Sequence, residues 1–252
     1  MTSNGLSDVG NIVGVFGYGE DQLEANVRIT LYTIGIAVGA LALGSAAIAG
    51  QHAPSAPNGG TGVKPAHIHI GHVMTTWTDT PNTQGLLPVA IADAKVAATH
   101  AELMQKSADN LDVLKLHAGH VMHALDPTLE PKGPGSGYGV KRAAAGALQH
   151  VQLAARSEGA SQNVQTHAEH VSASVSNVLA WTDEATATAQ RIRAATSASE
   201  AAPLLTQLIA QTHGMAHGLD ANKDGSIGWQ AGEGGLAQAK AHMDLMLKGE
   251  GL

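Results

Sequence analysis

The chain has 252 residues, a net charge of −7 with histidine neutral, 3% aromatic residues and no cysteine. That length buries one substantial core plus an appendage, and abundant alanine with few aromatics favours close-packed helices over a sheet sandwich. The lack of cysteine excludes disulfides, thiolate metal centres and covalently attached c-type haem. Nucleic-acid binding has no support, because no basic patch with interleaved aromatics is present.

Residues 1–28 carry Asp8, Glu20, Asp21 and Glu24, and precede an uncharged apolar run, residues 29–50 (ITLYTIGIAVGALALGSAAIAG). As a helix this run is about 30 Å long, enough to cross a bilayer. Arg28 stands before it and no basic residue follows until Lys64, which predicts an N-inside, C-outside orientation. Ala47-Ile48-Ala49 has the small-x-small form of a signal-peptide cleavage site, the rival reading. Both readings place the rest of the chain outside the cytoplasm, either held to the bilayer by the N-terminal helix or soluble in the periplasm after cleavage.

Residues 51–65 (QHAPSAPNGGTGVKP) read as a Pro/Gly linker. Ala66 to Trp77 is ambiguous between a short helix and an extended segment. A helix is expected from Pro88 to about Lys106, with Pro88 in its first turn. A second is expected from Ala108 to Leu125, capped by Ser107 and stopped at Asp126-Pro127. Pro127 to Gly139 is a loop, and helical spacing resumes from Val140 to Ser157. Ser161 opens a long helix to about Ala195, Ser199 caps another to about Gly218, and Leu236 to Lys248 forms the last. The pattern predicts an all-α, antiparallel, His-rich bundle over residues 66–218, followed by a helix-loop-helix element over 219–252.

The fourteen histidines recur in a spaced pattern. His69-Ile70-Gly71-His72-Val73-Met74 returns as His117-Ala118-Gly119-His120-Val121-Met122, and more loosely as His167-Ala168-Glu169-His170-Val171. Residues three or four apart share a helical face, so each pair can aim two imidazoles at one point. His213 and His217 form an i,i+4 pair, and His242 with Met246 an imidazole–thioether pair. His100 falls on the apolar line of its helix and is a further ligand candidate, whereas a lone His150 reads as a packed core residue. Apart from Met1, every methionine lies within four residues of a histidine. Imidazole plus thioether suits copper, with zinc or nickel next. A b-type haem on two facing histidines and a His/carboxylate di-iron centre rank below it.

Asp220-Ala221-Asn222-Lys223-Asp224-Gly225-Ser226-Ile227 resembles the EF-hand calcium loop. Asp220, Asn222 and Asp224 match loop positions 1, 3 and 5, Gly225 the sharp turn, Ser226 the carbonyl ligand and Ile227 the apolar position 8. Ala231 stands where the bidentate Glu belongs, and Glu233 two residues later is the substitute. The resemblance implies a calcium ion acting as a structural clip.

No nucleophile elbow, phosphate-binding loop or His-Glu-x-x-His is present, so no enzymatic role is expected. The leading expectation is an exported, membrane-anchored protein that buffers or delivers copper or another late divalent metal. The alternatives are an accessory subunit of a membrane-bound electron-transfer complex, partnered with its other subunits, and a b-haem electron carrier.

Overall fold

The structure, a computed structural model, describes residues 63–252. The apolar run at 29–50 and residues 51–62 of the linker lie outside the described residues. Three-to-four-residue spacing of apolar side chains yields seven α-helices there and no strand: α1 (Pro65–Met74), α2 (Leu86–Gln105), α3 (Leu111–Leu125), α4 (Val140–Arg156), α5 (Gln162–Ala194), α6 (Ala198–His217) and α7 (Leu236–Glu250). The ambiguous segment at 66–77 is helical as far as Met74, started by Pro65 in the first turn, where its missing N–H costs nothing.

Helix α2 starts two residues before Pro88, at Leu86, and two further starts differ from the sequence expectation because a neighbouring cap is better placed. Helix α3 is capped by Asn110, not Ser107: the Asn110 Oδ1 accepts from the Val113 N–H at 3.2 Å, with Asp112 in the first turn. Helix α6 starts at Ser197, not Ser199. Ser197 Oγ accepts from the Glu200 N–H at 3.2 Å, while the Glu200 carboxylate reaches back to the Thr196 N–H at 2.7 Å. Ser197-x-x-Glu200 is the Ser-x-x-Glu spacing of a reciprocal cap.

The 33-residue α5 is about 50 Å long and forms the spine, packing against α3, α4, α6 and α7. Alanine lets the remaining helices come close. Ala90, Ala94, Ala97 and Ala101 on α2 are fully buried, as are Ala143, Ala144 and Ala147 on α4, which packs against it. A Cβ on Gly146 would sit 2.9 Å from Leu86 Cδ2, so the buried Leu86 side chain would have to shift to admit one.

The Pro127–Gly139 segment is pinned by a buried carboxylate. Asp93, 1% exposed, accepts from the Ser136 and Gly139 N–H groups at 2.7 and 2.9 Å and from the Ser136 hydroxyl at 2.5 Å. A second carboxylate joins three helices at the other end. Glu250 of α7 takes the Ser161 hydroxyl at the start of α5, Asn163 Nδ2 at 3.1 Å and His67 Nε2 of α1 at 2.9 Å.

Candidate metal centres

Nine histidines converge as three trios, each built from two packed helices. His69 and His72 of α1 meet His150 of α4, His117 and His120 of α3 meet His100 of α2, and His167 and His170 of α5 meet His242 of α7. These are the groups of three such donors that converge within 4.8 Å among the described residues.

The local sequence places them. Each of the nine stands one position before an apolar residue that is 0–2% exposed, from Ile70 and Val73 through to Met243. One residue is about 100° of helix, so each imidazole emerges at the margin of the buried stripe rather than at its centre. At that margin the neighbouring helix arrives with its own edge. The paired helices share the pattern His-apolar-x-His-Val. The single-His helices share another: Ala97-x-x-His100-Ala101-x-Leu103-Met104, Ala147-x-x-His150-Val151-x-Leu153-Ala154 and Ala239-x-x-His242-Met243-x-Leu245-Met246. Pair and single alternate along the chain as α1, α2, α3, α4, α5 and α7. The first two units exchange partners, the α1 pair taking the α4 single and the α3 pair the α2 single, whereas α5 and α7 serve each other.

The three trios nearly superimpose in their internal geometry. The Nδ1 of the single histidine lies 3.0 and 3.4 Å from its partners at the α1–α4 site, 2.9 and 3.3 Å at the α2–α3 site, and 3.2 and 3.3 Å at the α5–α7 site. Its ring is tilted 33–35° to the first partner and stands at 72–76° to the second at every site. A single Nδ1 offers one in-plane lone pair or one proton, so it cannot satisfy two neighbouring Nδ1 atoms by hydrogen bonding. A cation at the centre can use all three lone pairs. For metal–nitrogen bonds of about 2.0 Å in tetrahedral array, nitrogens stand about 3.3 Å apart, which matches the 2.9–3.4 Å from each single histidine to its two partners, and all three donors of a trio lie within 4.8 Å of one another. Haem does not suit these trios: axial imidazoles approach iron from opposite faces, and nitrogens in mutual contact leave no room for a macrocycle.

Electrostatics keep the lone pairs free. Burial, followed by repulsion from His120 and His117, lowers the pKa of His100 to about 4. Burial and then His170 and His167 do the same to His242, also to about 4. His72, His117, His120, His150 and His167 are shifted downward as well, with burial the leading cause in each. Neutral imidazole is the form that binds metal.

Other expected ligands are placed elsewhere. His150, read from sequence as packing, is the third member of the α1–α4 trio, because the partner it needs lies on another helix. His213 and His217, ring centroids 6.0 Å apart, meet no third histidine; His213 Nε2 pairs with Glu102 Oε1 at 2.8 Å in the open. Consequently His217 and His242 do not share a site. Met246 is fully buried with Met104, Met215 and Met243, on the core side of their helices. His123, just beyond the α3 pair, donates to the Glu130 carbonyl at 2.7 Å.

In the Asp220–Glu233 loop, Asp220 accepts from the Asp224 and Gly225 N–H groups at 3.1 and 3.0 Å, and Asn222 Oδ1 from Asp224 N–H at 2.9 Å. Asp224 takes the Ser226 hydroxyl at 2.7 Å. The loop is closed at its base by Leu219 N–H on the Glu233 carbonyl, 2.8 Å, and the buried Glu233 carboxylate accepts from Gly228 N–H at 3.0 Å. No family model, curated protein or solved structure matches the chain.

Proposed function

We propose that the protein binds three late-transition metal ions, copper foremost, one at each histidine trio, and serves to buffer or deliver them. The observation that carries this reading is the threefold recurrence of one Nδ1 geometry on three different helix pairs. Packing alone gives no reason to repeat a half-buried cluster of three mutually repelling bases; leaving such polar groups unpaired costs about 1–3 kcal/mol each. Nitrogen-only sites follow the general affinity order that places copper above zinc and nickel. Binding rather than catalysis fits the multiplicity of equivalent sites.

The same proposal places the bundle outside the cytoplasm, anchored through the apolar run at 29–50. It assigns the Asp220–Glu233 loop to a calcium ion that clips α6 to α7. Elemental analysis of protein purified without an affinity tag tests the metal reading: about three late-transition ions per chain are expected. Protein carrying calcium alone would instead favour a non-enzymatic accessory subunit whose histidine faces pack against partners.

A further inference from the structure

The three trios match in their ligands but not in what covers them. At the α1–α4 site the Trp77 indole stands against two of the three ligand rings, 4.6 Å from His150 and 4.8 Å from His72 between centroids. A turn holds it there, with Trp77 N–H on the Gln84 carbonyl at 3.1 Å and the Thr80 hydroxyl on the Trp77 carbonyl at 2.8 Å. At the α5–α7 site Trp229 stacks on His170, 3.9 Å between centroids at 17°. It comes from the loop between α6 and α7, tied to α5 by Asn177, whose Nδ2 donates to the Gln230 and Gly234 carbonyls at 2.8 and 3.0 Å.

The α2–α3 site has no such cover. Among the described residues, the rings of His100, His117 and His120 stack only on one another. Beside His100 lies an open cavity of about 230 Å³, bordered by Lys95, Thr99 and Pro134. A late-transition ion held by three imidazoles keeps a fourth position for an outside ligand. At the other two sites an indole crowds the ligand rings. A site that no indole covers, beside a cavity bordered by Lys95 and Thr99, leaves room for that outside ligand. The positive charge of Lys95 favours an anion, while the Glu130 carboxylate near His120 is paired with Arg193 at 2.6 Å.

Resting on the three-ion reading above, we propose that the sites differ in role. The ions at the α1–α4 and α5–α7 sites are closed off by Trp77 and Trp229. The ion at the α2–α3 site accepts a small anionic donor at its open position and is the point of exchange with the surroundings.

The test uses the whole chain loaded with copper(II), its copper content measured first, and azide as the anion. Azide bound to copper(II) gives a charge-transfer absorption that saturates with the number of open sites. The expected result is three coppers and one azide per chain, with the band lost in His117→Ala and, independently, in His100→Ala, circular dichroism reporting that each variant is folded. Trp77→Ala and Trp229→Ala should each raise the count to two. Three azides per chain, none, a band that survives both histidine variants, or a count unmoved by both tryptophan variants overturns the inference while leaving the three-ion reading in place. A chain that takes up no copper overturns that reading, and this inference with it.

Discussion

His69 Nδ1 and His150 Nδ1 lie 3.0 Å apart although 81 residues separate them in the chain. The contact exists because α1 and α4 pack edge to edge, each presenting its histidine one residue before a fully buried neighbour, Ile70 and Val151. An ion at that point would join two helices that the chain itself connects only through α2 and α3. The other two sites join α2 to α3 and α5 to α7, so metal would tie every helix except α6.

The metal-free protein should lose stability as pH falls from about 6.5 towards about 4. His100 and His242 have folded pKa values of about 4 against an ordinary value of 6.5. Within that window the unfolded chain takes up protons that the folded chain does not, which favours unfolding; below about pH 4 both states are protonated and the effect levels off. Thermal melts of the metal-free protein across this range should show the decline, and His100→Asn should make it shallower. A melting temperature independent of pH between 7 and 4 would contradict the burial of these rings.

Glu250 titrates in the opposite sense. The Ser161 hydroxyl, His67 and then Asn163 hold its carboxyl down at about 2, against an ordinary 4.5. It therefore contributes stability that is fully present above pH 4.5 and is lost as pH falls towards 2. Glu250→Ala at neutral pH should cost about 1–3 kcal/mol, since it strands half-buried partners on α1 and at the start of α5. Chemical denaturation measures it, and a change below about 0.5 kcal/mol would show that the junction is not structural.

Much of the fold is legible in the sequence, and the sites only half so. The helix α4 follows from Val140, Ala144, Ala147 and Val151 at helical spacing, and Ser161 announces α5. The His-x-x-His pairs stand out because both residues lie on one helix. The third ligand does not, because nothing local says which neighbour His100, His150 or His242 will meet. A signal for it is nevertheless present, in the Ala-x-x-His-apolar-x-Leu pattern shared by α2, α4 and α7. His213 and His217 show the converse: their spacing suits chelation, and the facing helix offers them Glu102 in the open and no histidine. The methionines read two ways in sequence, since nearness to a histidine also places Met104, Met243 and Met246 on the buried stripe.

Removing His213 and His217 together should therefore leave the late-metal content unchanged. Both are exposed, and the Glu102 pair is worth at most about 1 kcal/mol. A double alanine variant analysed for metal checks this. Loss of one ion would mean that the i,i+4 pair is itself a site.

Calcium should act through the Asp220–Glu233 loop alone. At a hundredfold excess over its Kd, a ligand of the folded state adds about 2.7 kcal/mol. Chelator-treated protein should melt higher in millimolar calcium, and Asp224→Ala should abolish the rise without altering late-metal content. A melting curve that ignores calcium would leave the loop as a hydrogen-bonded turn.

The central claim is that three independent ions are held by three histidine trios. The most direct measurement is the late-metal content of three single variants, His150→Ala, His100→Ala and His242→Ala, beside the unaltered protein. The account predicts about three ions per chain in the unaltered protein and about two in each variant, because each change removes one ligand from one site. A content that none of the three substitutions changes would contradict it.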